Sequence, residues 1–129
     1  MPSIKFSERR ILFVEDDALA AMEVKATLDD LGCHVIGPIA SVARALRVVS
    51  TERLDSAVLD INLGTELSFP IADDLTAVKV PFLFLTAYNR AVLPLPYCNR
   101  PVLSKPLIPK LLVVELHACP LSSGGRGLS

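Results

Sequence analysis

The chain has 129 residues, a length that fits one domain and leaves little for a second. Of these, 51% are apolar and 21% charged, which excludes a disordered polar chain and gives enough material for a real core. The formal net charge is −1 and the 13 basic residues are spread along the chain, so there is no basic stripe of the kind that grips nucleic acid.

The longest apolar runs, such as Pro81 to Leu85 and Leu111 to Val114, are far too short to span a bilayer. The segment Met1 to Arg10 has no apolar stretch followed by a cleavage site, so no secretory signal is expected. The cysteines, Cys33, Cys98 and Cys119, are odd in number and form no CxxC pair, which argues against a disulfide framework or a zinc site. The expectation is a cytoplasmic protein with reduced thiols that touches neither nucleic acid nor membrane.

In chain order, Arg10 to Glu15 is a short apolar run ending in acid, the pattern of a strand buried on both faces. A helix is expected from Ala18 to Leu31, with Asp17 as its N-cap and Gly32 just past its end. Its apolar face is read as Leu19, Met22, Ala26 and Leu28. A short second strand follows at Val35 to Gly37. Ser41 then caps a helix to about Val49, with Val42, Leu46 and Val49 as its stripe. Ala57 to Asp60 is another buried strand ending in a carboxylate, and Pro70 starts a helix through Val78. Pro81 to Thr86 forms a fourth strand. Pro94 and Pro96 break the short stretch before Pro101, so only a shortened or irregular fourth helix fits there. Val102 and Leu103 mark a fifth strand ending near Lys105, and a last helix covers roughly Leu107 to Cys119.

Strands alternating with helices imply an α/β fold with a doubly wound parallel sheet, flavodoxin-like, of five strands in the order 2-1-3-4-5. The expected organisation is an N-terminal extension over 1–9, one folded domain over 10–119 and a disordered Ser/Gly-rich tail over 120–129. In that strand order ligands bind at the carboxyl ends of strands 1 and 3, where the winding reverses. Glu15, Asp16 and Asp60 fall at those two ends.

Carboxylates brought this close repel one another unless a cation lies between them, and a hard ion with oxygen ligands, most naturally Mg²⁺, resolves the conflict. Asp60 then reads as a nucleophile towards a phosphoryl group, with Lys105 as a fixed positive charge and Thr86 as a hydroxyl donor for phosphate oxygens. Singly, each residue has a plainer role. Asp16 or Asp17 suits a helix cap, Asp60 a turn, Thr86 a strand end, and Lys105 a surface position before a helix-starting proline. Their occurrence in order, each at the end of a strand, is what carries the chemistry. His34 and His117 have no metal-compatible neighbours in sequence, the cysteines read as packing residues, and Asp73-Asp74 as a solvated helix face.

The pieces Val14-Glu15-Asp16-Asp17, Val58-Leu59-Asp60, Leu85-Thr86-Ala87 and Ser104-Lys105-Pro106 together resemble the receiver domains of response regulators. The resemblance implies that Asp60 is the phosphoacceptor, Asp16 a direct metal ligand, Glu15 a ligand through water, and the backbone carbonyl of Asn62 a further ligand. It also implies that Thr86 and Lys105 contact the phosphoryl group and that the Lys105-Pro106 bond is cis. Gly64 stands where most receivers have proline, and Val102 where they carry an aromatic residue, which removes the usual Tyr/Thr coupling. Phe84-Leu85-Thr86-Ala87-Tyr88, Gly32 to Pro38 and Asn62-Leu63-Gly64 look like alphaproteobacterial single-domain receivers with a Phe-Ala-Thr-Gly-type motif, with Ala87 in place of its glycine.

The implied function is that of a single-domain response regulator: not an enzyme, but a phosphoacceptor that catalyses its own phosphotransfer and dephosphorylation. It would take phosphate in a Mg²⁺-dependent phosphorelay from a sensor histidine kinase or a histidine phosphotransfer protein. With about ten residues left after Cys119, signalling to a downstream protein target is expected through protein contacts. Tyr88 lies near enough in sequence to be expected to shield the acyl phosphate. One rival is a haloacid-dehalogenase-like hydrolase, disfavoured because Asn62 stands where that chemistry needs an aspartate. The other is a pseudo-receiver that keeps the fold as an unphosphorylated interaction module.

Overall fold

A computed structural model describes residues 9–86, 100–105 and 109–118. The elements are β1 (Arg10–Val14), α1 (Ala18–Asp30), β2 (His34–Ile39), α2 (Val42–Thr51), β3 (Ser56–Asp60), α3 (Phe69–Ala77), β4 (Phe82–Thr86), β5 (Val102–Ser104) and α4 (Pro109–Ala118). The strands form one sheet in the order β2-β1-β3-β4-β5, every neighbouring pair parallel. This is the expected flavodoxin-like topology. The expected irregular fourth helix, the Lys105-Pro106 bond, Ala87, Tyr88 and the tail lie outside the described residues.

β1, β3 and β4 are central and apolar without alternation because both of their faces are covered. One core cluster joins Leu12, Val14, Leu59, Phe82 and Phe84 to Ala45, Val49, Ile71 and Leu75 of α2 and α3. The other joins Ile11, Phe13, Val58, Leu83 and Leu85 to Ala21, Val24, Leu28 and Leu112 of α1 and α4. Residues of odd and even number along each strand thus go to opposite layers.

β2 runs further than the expected Val35 to Gly37, continuing through Pro38 to Ile39. It is an edge strand, where a residue without an N–H is tolerated. The Gly37-Pro38 bond is cis, and the pairing register with β1 shifts between Leu12 and Val14. Arg9, assigned from sequence to the extension, is buried, and its carbonyl accepts a bond from the His34 N–H at 2.9 Å.

Both caps are as expected: Asp17 Oδ1 accepts from the Leu19 N–H at 2.9 Å, and Ser41 Oγ from the Arg44 N–H at 3.3 Å. The rotation of α1 is not. Its buried residues are Ala21, Val24 and Leu28, while Leu19 and Met22 are 75% and 67% exposed. Both sets have helical spacing, because the first turns of α1 are apolar on more than one side, so periodicity cannot choose between them. The sheet takes the smaller Ala21 and Val24. Among the described residues no helix is long and apolar enough to cross a membrane.

Candidate functional site: an acidic pocket at the carboxyl edge of the sheet

The parallel register brings the strand ends together. Val14 pairs with Leu59, Asp60 with Leu85, and Thr86 with Ser104, so the residues that follow share one edge. Glu15 and Asp60 are buried there and Asp16 is exposed, and one carboxylate oxygen from each lies within 4.8 Å of the others. Among the described residues this is the group able to hold a metal ion. All the donors are hard oxygens, with no sulfur or imidazole, which fits Mg²⁺ and not a soft ion.

Lys105, just past β5, enters the pocket. Its Nζ stands 2.6 Å from Glu15 Oε1 and 3.1 Å from Asp60 Oδ2. Its N–H donates to the Thr86 carbonyl at 2.8 Å, which ties the end of β5 to the end of β4. Burial lowers the affinity of this ammonium for its proton, but Glu15 and Asp60 outweigh that and carry its pKa above the usual lysine value. Burial also pushes the Glu15 carboxyl up, from 4.5 to about 7, with Asp60 adding to the rise and Lys105 and the Asp17 N–H opposing it. The Asp17 N–H donates to Glu15 Oε2 at 3.1 Å.

All six residues expected at the site fall among the described residues. Glu15, Asp16, Asp60 and Lys105 converge, and Thr86 is buried at the end of β4, one residue beyond Asp60's partner. Asn62 lies on the loop after β3, its N–H donating to Asp60 Oδ1 at 3.3 Å. Its backbone carbonyl as a metal ligand stays an implication of the family.

Two features of this loop were not foreseen. Asn62 Oδ1 accepts from the Gly64 N–H at 2.9 Å, and a Cβ on Gly64 would stand 3.2 Å from Asp16 Oδ2. The Asn-Leu-Gly triplet signals a turn in the sequence, but not what the turn would lie against. Further along, Glu66 Oε2 approaches the Val42 N–H at the start of α2, at 3.5 Å.

Comparison with known proteins places this geometry. No family model matches the chain. SdrG from Sphingomonas melonis Fr1 is 36% identical with a TM-score of 0.78, the match covering 88% of this chain and 97% of SdrG. The receiver domain of sensor histidine kinase PA1611 from Pseudomonas aeruginosa PAO1, solved with a magnesium ion coordinated in its active-site cleft, is 25% identical with a TM-score of 0.73, covering 86% of this chain and 96% of that one. The phyllosphere-induced regulator PhyR of Methylorubrum extorquens is 35% identical over 81 residues, which are 60% of this chain and 30% of PhyR. The chain spans 30 to 40% of the length of the curated relatives it matches. On its topology, its acidic pocket with an inserted lysine, and its near full-length likeness to SdrG, the chain belongs to the receiver domains of response regulators.

Proposed function

We propose that the protein accepts a phosphoryl group on Asp60, from a sensor histidine kinase or a histidine phosphotransfer protein, and signals through contacts with a downstream protein. The observation that supports this most is the placement of Lys105 Nζ, 3.1 Å from Asp60 Oδ2 in a pocket that also gathers Glu15 and Asp16.

Glu15, Asp16 and Asp60 would hold Mg²⁺, with the Asn62 carbonyl as a further ligand. The ion supplies positive charge against the repulsion between the acids and the incoming phosphate. The residues of the chain do the rest. An Asp60 oxygen forms a bond to phosphorus as the bond from phosphorus to the donor nitrogen breaks, and the electron pair of that bond stays on the donor imidazole. Lys105 meets charge on a phosphoryl oxygen and Thr86 donates its hydroxyl to another. The product is an acyl phosphate, and the chain acts as a self-catalysing phosphoacceptor, not as an enzyme on an external substrate.

Incubation with acetyl phosphate, followed by intact mass, tests the reading. A gain of one phosphate that needs Mg²⁺ and is absent in Asp60→Asn is the expected result. If neither acetyl phosphate nor a panel of histidine kinases phosphorylates the folded protein, the unphosphorylated interaction module replaces this reading.

A further inference from the structure

Of the acids in the pocket, Asp16 is held least. Glu15 and Asp60 are buried, and each accepts a bond from a backbone N–H and forms an ion pair with Lys105. Asp16 is exposed, and among the described residues its carboxylate makes no hydrogen bond or ion pair. The neighbour that bears on it is Gly64. Gly64, with φ +85, sits so close that an added Cβ would come to 3.2 Å from Asp16 Oδ2. That φ belongs to the left-handed region, which suits glycine.

The position of Gly64 is itself fixed. Its N–H donates to Asn62 Oδ1 at 2.9 Å, closing an Asx turn. The loop closes behind that turn, with the Leu63 N–H bonded to the Glu66 carbonyl at 2.8 Å, the Ser68 N–H to the Ile61 carbonyl at 3.0 Å, and Leu63 buried in the core. At its other end the Asn62 N–H reaches Asp60 Oδ1 at 3.3 Å. One short turn therefore bonds the proposed acceptor at one end and, at the other, brings Gly64 to where an added Cβ would crowd Asp16.

We propose that the Asn62 side chain and Gly64 form a positioning turn for the Asp16 carboxylate, limiting where Oδ2 can stand and so setting the affinity of the pocket for Mg²⁺. This rests on the phosphoacceptor reading above. An Asn-x-Gly turn alone would serve only to reverse the chain; the close approach to Asp16 is what gives it a second role. The Asn62 side chain and Gly64 are positioning groups that act on the ion through Asp16, a role separate from that of the Asn62 backbone carbonyl as a direct ligand. A side chain that orients a metal ligand commonly changes affinity by about 10–100-fold when removed.

The test is calorimetric titration of the full chain with Mg²⁺ alone, together with melting in EDTA and hydrogen exchange of the Gly64 amide. Gly64→Ala, which places a methyl against Asp16, and Asn62→Leu, which removes the acceptor at similar size, should each weaken Mg²⁺ about tenfold. Asn62→Asp keeps an oxygen for the Gly64 N–H, so it should restore both the protected amide and Mg²⁺ binding at least as tight as wild type. A merely structural turn would lower the melting temperature in EDTA and leave Mg²⁺ affinity unmoved. If Gly64→Ala does not fold, Asn62→Leu carries the comparison, because it adds nothing to the left-handed residue. Wild-type binding that both variants keep within about twofold overturns the role of the turn alone. A wild type that binds no Mg²⁺ overturns the phosphoacceptor reading and the turn's role with it.

Discussion

Replacing Glu15 with glutamine should flatten the pH dependence of stability in the metal-free protein. In the unfolded chain this carboxyl titrates near 4.5, and in the fold burial carries it to about 7. Between those values the folded protein holds a proton that the unfolded chain has released, so stability falls as pH rises. The contribution is fully present below about 4.5 and is lost as pH passes through about 7. A gap of that size corresponds to about 3 kcal/mol, most of which falls between about pH 5 and about pH 8. The side chain of Glu15 is fully buried, so solvent screens little of it. Urea denaturation in EDTA across that range measures the effect, as a midpoint shift of about 1–2 M in the wild type beyond that in Glu15→Gln. The difference between the two proteins removes the background of the other carboxyls. Parallel pH profiles would refute the reasoning and show that Glu15 ionises in the fold as easily as in water.

Lys105→Met should cost about 3–5 kcal/mol in EDTA at about pH 8, since it leaves two buried carboxylates without their counter-charge. Chemical denaturation checks this, and the cost should shrink near pH 6, where Glu15 can take a proton instead. Leu75→Ala empties a fully buried position in the α2/α3 layer and should cost about 2–5 kcal/mol in the same assay, with Mg²⁺ affinity retained. Leu19→Gln and Met22→Gln should each stay within about 0.5 kcal/mol of wild type, as fits exposed side chains. A loss several times larger would mean that α1 buries the face its sequence periodicity suggested.

The strands and the acids at their ends were legible because two independent signals coincide there: an unbroken apolar run, and a charge where that run stops. Arg10 to Glu15 and Ala57 to Asp60 both have this form, and the alternation of strands with helices points to a parallel sheet, five such units matching the flavodoxin-like order. The rotation of α1 was not legible. Leu19, Met22 and Ala26 repeat as well as Ala21, Val24 and Leu28 do, and only the sheet surface decides which set is covered. The loop from Asn62 to Ser68 was legible only through the resemblance of Asn62-Leu63-Gly64 to a receiver subgroup. Its bonds to Asp60 and its approach to Asp16 and to the start of α2 join parts of the chain far apart in sequence, which no local pattern records. Lys105 was read as a phosphate contact; that it also balances Glu15 and Asp60 follows from burial, which a sequence does not display.

The ion pair between Lys105 and Asp60 closes a separation of 45 residues, and Glu15 stands equally far from Asp60 on the other side. Nothing local in the chain holds these groups near one another, so an unfolded chain presents no such pocket. A cation taken up there would act on folding by mass action, favouring the native state by about 2.7 kcal/mol at a hundredfold excess over its Kd. On the proposed function, the ion that assists phosphotransfer would then also govern how often the protein opens, so the supply of free Mg²⁺ would bear on its lifetime as well.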